Sequence, residues 1–314
     1  MIFSTVVGGY FLIRLGGFFI LHPWRTARGT VRALRHGGKH PCRTLTLALA
    51  GTLGVGNITG TAFALMTGGA GALFWMWVSA VFAMTLKYAE SVATLSHGDG
   101  GILGLAAVVF RRFGRVAAGG YSVLCLVCAA AMGAALQTRT VAVAANAAFG
   151  VPLFSVTGAV ALLVAVSVWG GVGRIERAVA VTVPAASVLY IVLCLSVLTT
   201  HAAEIPAALC AVMRAAFRPS SAVGGIGGVL LSRAVREGYA GGLLSNEAGA
   251  GTSTLAHARN ADARPTDEGY LGMCEVFFDT AVLCTLTALT LLVGSGGTVP
   301  TEGDGMTWLS DVLF

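Results

Sequence analysis

The chain has 314 residues, 56% of them hydrophobic and only 11% charged, with a mean hydropathy of +0.81 and a formal net charge of +6. A soluble domain carries roughly 25% charged residues, so this composition excludes a soluble enzyme or binding module and reads as a polytopic membrane protein. The positive charge lies in short loops between apolar runs, where it reports topology and not a nucleic-acid partner.

A membrane helix needs about 20 apolar residues, and the sequence offers about eight such runs, so an all-α fold is expected. The first run, 2–21, has no basic start and no small-residue cleavage site, and Arg14 interrupts it, so it reads as an uncleaved span and not a signal peptide. The connector after it carries Arg25, Arg28, Arg32, Arg35, Lys39 and Arg43, the densest positive run in the chain. The positive-inside rule makes that connector cytoplasmic and the N-terminus external. Its first four arginines recur at helical spacing, which fits a helix lying along the anionic inner leaflet; a solvated helix face explains them equally.

Further spans are expected at 44–66, 71–95, 116–146, 152–169, 178–199, 222–256 and 269–293, with a kink at Pro184 and an outer connector over 200–219. This divides the chain into an accessory helix with its basic connector (1–43), a five-helix unit (44–199) and a further unit (200–314).

Two of these spans look broken. The stretch 51–71 carries Gly51, Gly54, Gly56 and Gly60 with Asn57 among them. Each glycine costs roughly 1 kcal/mol relative to alanine inside a helix. In lipid, interrupted backbone survives only where protein encloses it, so the stretch marks either a small-molecule or ion site or a close helix–helix contact. The span at 222–256 holds G-G-I-G-G (224–228), G-Y-A-G-G (238–242) and S-N-E-A-G-A-G (245–251). Corresponding interrupted helices in two halves of opposite orientation point to the binding site of a secondary transporter.

Several blocks, in order, carry a resemblance over nearly the whole chain: A-L-A-G-T-L-G-V-G-N-I-T-G (48–60), G-G-A-G-A-L-F-W-M-W-V-S-A (68–80), K-Y-A-E (87–90), L-S-N-E-A-G-A-G (244–251) and F-F-D-T-A-V-L-C-T-L-T-A-L (277–289). The sequence resembles the alanine or glycine:cation symporters, also called sodium:alanine symporters. That resemblance implies a multi-pass protein of the cell (inner) membrane with a leucine-transporter-type inverted-repeat fold. It implies uptake of alanine and glycine driven by Na⁺ or H⁺, with substrate held between the two breaks. Gly54, Gly56 and Asn57 would form the first break, Gln137 matches a glutamine of the family's V-Q-A-N segment, and Gly238 and Tyr239 would line the second. Ser245, Asn246, Glu247 and Gly249 would form the inner end of that span.

An amino-acid carboxylate seeks free N–H groups at a half-helix start, and a cation seeks carbonyl, amide and hydroxyl oxygens. Thr52, Leu53, Asn57 and Thr59 are therefore the candidate cation ligands. Family members usually continue for three or four more spans, so the second repeat is read as incomplete. Arg139, Gly241 and Glu275 also depart from the family pattern. The alternative reading is a decayed or split transporter lacking spans 8–10, either acting only as a binding or structural subunit or inactive alone, with a separately encoded C-terminal part as one candidate partner.

Charges inside membrane helices are functional candidates because each is costly unpaired. Lys87 and Glu90, three apart, are expected to pair with each other. Glu275 and Asp279, four apart on one face, either hold a cation, share a proton or face the inner loop. Arg139 is expected to extend outward with its stem in apolar surroundings, and Glu247 to serve helix-end hydrogen bonding or gating. No nucleophile–base pair or metal-ligand set appears, so neither an enzyme nor a bound cofactor is expected beyond the coupling ion.

Overall fold

The structure, a computed structural model of the chain, describes residues 2–38, 41–97, 101–218, 233–260, 262–300 and 303–313. Among the described residues all regular structure is helical and no strand occurs. This is the expected solution for apolar segments, because a helix satisfies its backbone polar groups internally.

Among the described residues four stretches are long and apolar enough to cross a membrane: Ala72–His97 (α6), Gly114–Phe149 (α8, Gly114–Cys128, and α9, Gln137–Phe149, joined by a π-helical stretch), Gly173–Thr200 (within α11, Val172–Thr200) and Pro265–Gly294 (α15, Pro265–Val276, and α16, Thr285–Gly294, joined through Asp279). A fifth is the bent pair Pro41–Thr52 (α4) and Gly56–Gly68, whose halves meet at 54°. The apolar helix Leu153–Trp169 (α10) is shorter, and none of its residues is buried.

Two expected spans differ from their sequence outline. Residues 2–21 divide into α1 (Ile2–Arg14) and α2 (Phe18–Leu21), because Gly16 and Gly17 both adopt positive φ and turn the chain. In the late glycine-rich span, 224–228 lies outside the described residues, whereas 238–242 is unbroken helix inside α13 (Arg233–Asn246). Its glycines serve packing. A Cβ on Gly238 would lie 2.2 Å from the Ala72 carbonyl oxygen, and one on Gly242 would lie 2.0 Å from Ser79 Oγ. The outer connector contains a helix of its own, Ile205–Ala216 (α12), whose Ala216 carbonyl accepts a 2.9 Å hydrogen bond from Trp75 Nε1.

Helix α6 is the hub, flanked by α13, α15 and α1. Gly269 and Gly272 of α15 permit the close approach, since a Cβ on Gly269 would lie 2.7 Å from the Tyr88 ring and one on Gly272 3.0 Å from Ser91 Oγ. A dry cluster of Ala62, Leu65, Leu73, Leu291 and Leu309 closes the opposite end, where α5 (Thr61–Gly68), α6, α16 and α17 (Gly305–Leu313) converge.

The basic connector forms α3 (Pro23–His36). Arg32 pairs with Asp267 at 2.8 Å, while Glu176 takes Arg43 at 2.7 Å and Arg259 at 2.5 Å. The segments that the positive-inside rule assigns to one membrane face therefore meet at one end of the bundle.

Candidate functional site

The bend between α4 and α5 sits where the glycines predict it, and the π turn Gly56–Gly60 follows directly. Asn57 caps its own break: its Oδ1 accepts from the Gly54 N–H at 3.2 Å. That leaves the Asn57 Nδ2 free to donate outward, to Asp279 Oδ1 at 2.7 Å and to the Asp279 carbonyl at 3.2 Å.

Asp279 is fully buried in the π-helical stretch Phe277–Cys284. Its second oxygen accepts from Ser245 Oγ at 2.7 Å and Thr280 Oγ1 at 3.0 Å. Asn246 donates to Thr280 Oγ1 at 3.0 Å and to the Gly242 carbonyl at 2.7 Å, and its Oδ1 accepts from the Ala248 N–H at 3.0 Å. Cys284 Sγ lies 3.3 Å from Ser245 Oγ. Three neutral donors thus surround a carboxylate that, among the described residues, has no Lys, Arg or His in ion-pair range.

A second buried cluster lies one turn away, nearer the basic end. Lys87 Nζ donates to Glu275 Oε1 at 3.1 Å and to Ser253 Oγ at 2.6 Å, all within a fully buried setting. The ion pair that Lys87 forms is therefore with Glu275 and not with Glu90, because the glycines of α15 bring Glu275 against α6. His257, at the end of α14 (Thr254–His257), places Nδ1 2.6 Å from Glu268 Oε2 and Nε2 3.6 Å from Glu275 Oε2. Asn260 Nδ2 donates to Glu268 Oε1 and to the Gly37 carbonyl, each at 2.6 Å. Burial alone would lower the His257 pKa, but the hydrogen bonds and charges of Glu268 and Glu275 outweigh it, leaving the imidazolium favoured above its ordinary range. Glu275 and Asp279 thus do not form one dicarboxylate; each belongs to a separate network.

The structure brings several predicted residues together. A Cβ on Gly54 would lie 3.3 Å from Gln137 Nε2, and one on Gly56 would lie 3.8 Å from the Ser245 Cα, so the break faces both α9 and α13. Gly238 and Tyr239 are turned elsewhere: Gly238 packs on Ala72, and the Tyr239 ring lies 6.3 Å from that of Phe82. Thr52 and Thr59 hydroxyls donate to the Leu49 and Val55 carbonyls at 3.3 and 2.8 Å, and the Leu53 N–H to the Leu49 carbonyl at 2.6 Å. Glu247 ends α13 in left-handed conformation (φ 51°) and accepts from Thr252 Oγ1 at 2.6 Å; Gly249 (φ 88°) continues the turn. Arg139 is exposed.

Sequence reading missed Thr280, Cys284, Ser253, His257, Asn260 and Glu268 as members of these networks. The signal available was their polarity beside apolar runs. What no spacing rule shows is that a loop at 253–260 folds back beneath α6 and α15.

A bent apolar helix whose Asn57 meets the buried Asp279, set among helices long and apolar enough to cross a membrane, defines a multi-pass membrane protein. The family described as the sodium:alanine symporter family matches residues 1–313, and the chain belongs to it. It is a family of transporters and not of enzymes. The chain is 33% identical over 302 residues to an uncharacterized transporter, YflA, of Bacillus subtilis, with 93% of this chain and 64% of the relative covered. It is 35% identical to the sodium/alanine symporter AgcS of Methanococcus maripaludis (80% of this chain, 57% of the relative) and 32% identical to the amino-acid carrier protein AlsT of Bacillus subtilis (95% and 65%). The chain thus spans somewhat less than two thirds of the length of these relatives.

Proposed function

We propose that the chain carries the substrate- and ion-binding region of a cation-coupled symporter for small neutral amino acids, with alanine and glycine as the best-fitting substrates and a leucine-transporter-type arrangement of its helices. The observation that carries this reading is Asp279: a fully buried carboxylate, held by Asn57, Ser245 and Thr280, with no cationic side chain in contact among the described residues. An ionised carboxylate in that setting is costly unless a cation or proton joins it. With the hydroxyl oxygens of Ser245 and Thr280 beside it, the carboxylate offers hard oxygens of the kind suited to Na⁺, and Na⁺ is the coupling ion named for the relative AgcS. Gly54, Gly56 and Gln137 border the break and are assigned to the amino acid, the glycines favouring a small side chain.

Uptake of labelled alanine into proteoliposomes, with and without a Na⁺ gradient and then with a proton gradient, tests the proposal. Gradient-driven uptake that Asp279→Asn removes supports it; gradient-driven uptake unchanged in Asp279→Asn removes Asp279 from the coupling site. A second reading, a binding subunit completed by a separately encoded C-terminal part, is favoured by one observation: Gln137 is exposed although it faces Gly54. Alanine-dependent thermal stabilisation of the purified chain without uptake supports that reading.

A further inference from the structure

Helix α3 has two opposite faces that do different things. One is locked to the bundle: Ala33 is fully buried and a Cβ on Gly29 would lie 2.6 Å from the Tyr270 ring, while Arg32, on the flank between the faces and at the groove's edge, holds Asp267 at 2.8 Å. The other forms a shallow groove in which Trp24, Arg28, Val31 and Arg35 follow one another along a single stripe, with His36 at its edge. At 100° per residue these positions fall within about 60° of one another, opposite Gly29 and Ala33. Trp24 is 67% exposed and Val31 47% exposed, and Arg28 rests over the Trp24 ring at 5.3 Å.

The helix contains no acidic residue, and among the described residues Arg25, Arg28 and Arg35 have no carboxylate partner. The anchoring face fixes α3 at the basic end of the bundle, where the spans emerge. An exposed indole and aliphatic side chain flanked by unpaired guanidinium groups is the chemistry of the acyl–headgroup boundary: the ring and stems sit among the first methylenes while the cationic heads meet phosphate. A free anion would need an enclosed donor set, which this shallow, open groove does not provide.

We propose that the outward face of α3 binds acidic phospholipid headgroups of the inner leaflet, with Arg28 and Arg35 as the phosphate-facing groups, exposed Arg25 beside them on the flank and Trp24 as the interfacial anchor. Because Gly29 and Arg32 fix the same helix to α15, lipid bound on the outward face lies across α3 from the helix that carries Glu268 and Glu275. The proposal does not depend on the transport reading and needs no uptake to test.

The experiment uses the full chain in nanodiscs containing brominated phosphatidylglycerol or brominated phosphatidylcholine at equal mole fraction, with Trp24 quenching isolated by subtracting the Trp24→Phe protein. A roughly tenfold preference for phosphatidylglycerol is expected in low salt, falling steeply near 1 M salt. The triple change Arg25→Gln, Arg28→Gln, Arg35→Gln should abolish the preference, and the corresponding lysine triple should keep most of it. Should the glutamine protein not fold, the salt titration of the unaltered chain still decides. Equal quenching by the two lipids, or a preference indifferent to salt, overturns the proposal. Loss of the preference on adding millimolar inorganic phosphate also overturns it, in favour of a small-anion site.

Discussion

Asn57 Nδ2 and Asp279 Oδ1 lie 2.7 Å apart across 222 residues of sequence, and this bond ties the broken helix to the π-helical centre of Pro265–Gly294. The same Asn57 side chain satisfies the Gly54 N–H with its oxygen. One amide therefore stabilises the break locally and presents it to the buried carboxylate. A hydrophobic residue could do neither.

Replacing Asn57 with alanine leaves the Gly54 N–H without its acceptor and Asp279 Oδ1 without its donor. Each orphaned buried group costs about 1–3 kcal/mol. Asn57→Ala is expected to lower the thermal unfolding midpoint in detergent clearly, with Asn57→Asp no better because it sets two carboxylates face to face. An unfolding midpoint unchanged by Asn57→Ala would remove this bond from the account.

Lys87→Met leaves buried Glu275 with only the more distant His257 and removes the donor to Ser253, and is expected to cost up to about 3–5 kcal/mol. The double change Lys87→Met with Glu275→Leu removes both charges and should recover much of that loss. A double-mutant cycle measured by chemical unfolding checks it; strictly additive losses would mean the two groups do not act as a pair.

The glycines of α13 and of the outer helices should respond oppositely to alanine. Gly238→Ala drives a methyl into the Ala72 carbonyl and is expected to destabilise by about 1–3 kcal/mol or more. Gly119→Ala and Gly120→Ala meet nothing within 4 Å and should be neutral or slightly stabilising, because alanine favours helix. Yield of monodisperse protein and unfolding midpoint report the contrast.

His257 provides a pH signature. Its folded pKa is raised, so the ion pair with Glu268 contributes fully below the ordinary histidine pKa of about 6.5 and is lost as pH rises through the raised value. Hydrogen exchange in the 252–260 segment should therefore accelerate, beyond the intrinsic rate change, as pH is taken upward from 6.5, and His257→Gln should flatten that dependence. Faster opening on acidification would reverse the assigned sign.

Composition, apolar run length and loop arginines determined by themselves that this is a helical multi-pass protein, where its first break lies and which ends share a face. Those properties follow from local chemistry: the cost of exposed backbone in lipid, the conformational freedom of Gly51, Gly54 and Gly56, and the bias of basic loops to one side. The tertiary structure alone decided that Lys87 meets Glu275 and not Glu90, that Gly238 and Gly242 pack instead of breaking their helix, and that Glu275 and Asp279 divide between two networks. Spacing along one helix names the residues that share a face, but a buried charge takes the partner that a neighbouring helix brings closest. That choice rests on glycines 269 and 272, whose missing side chains let α15 settle against α6.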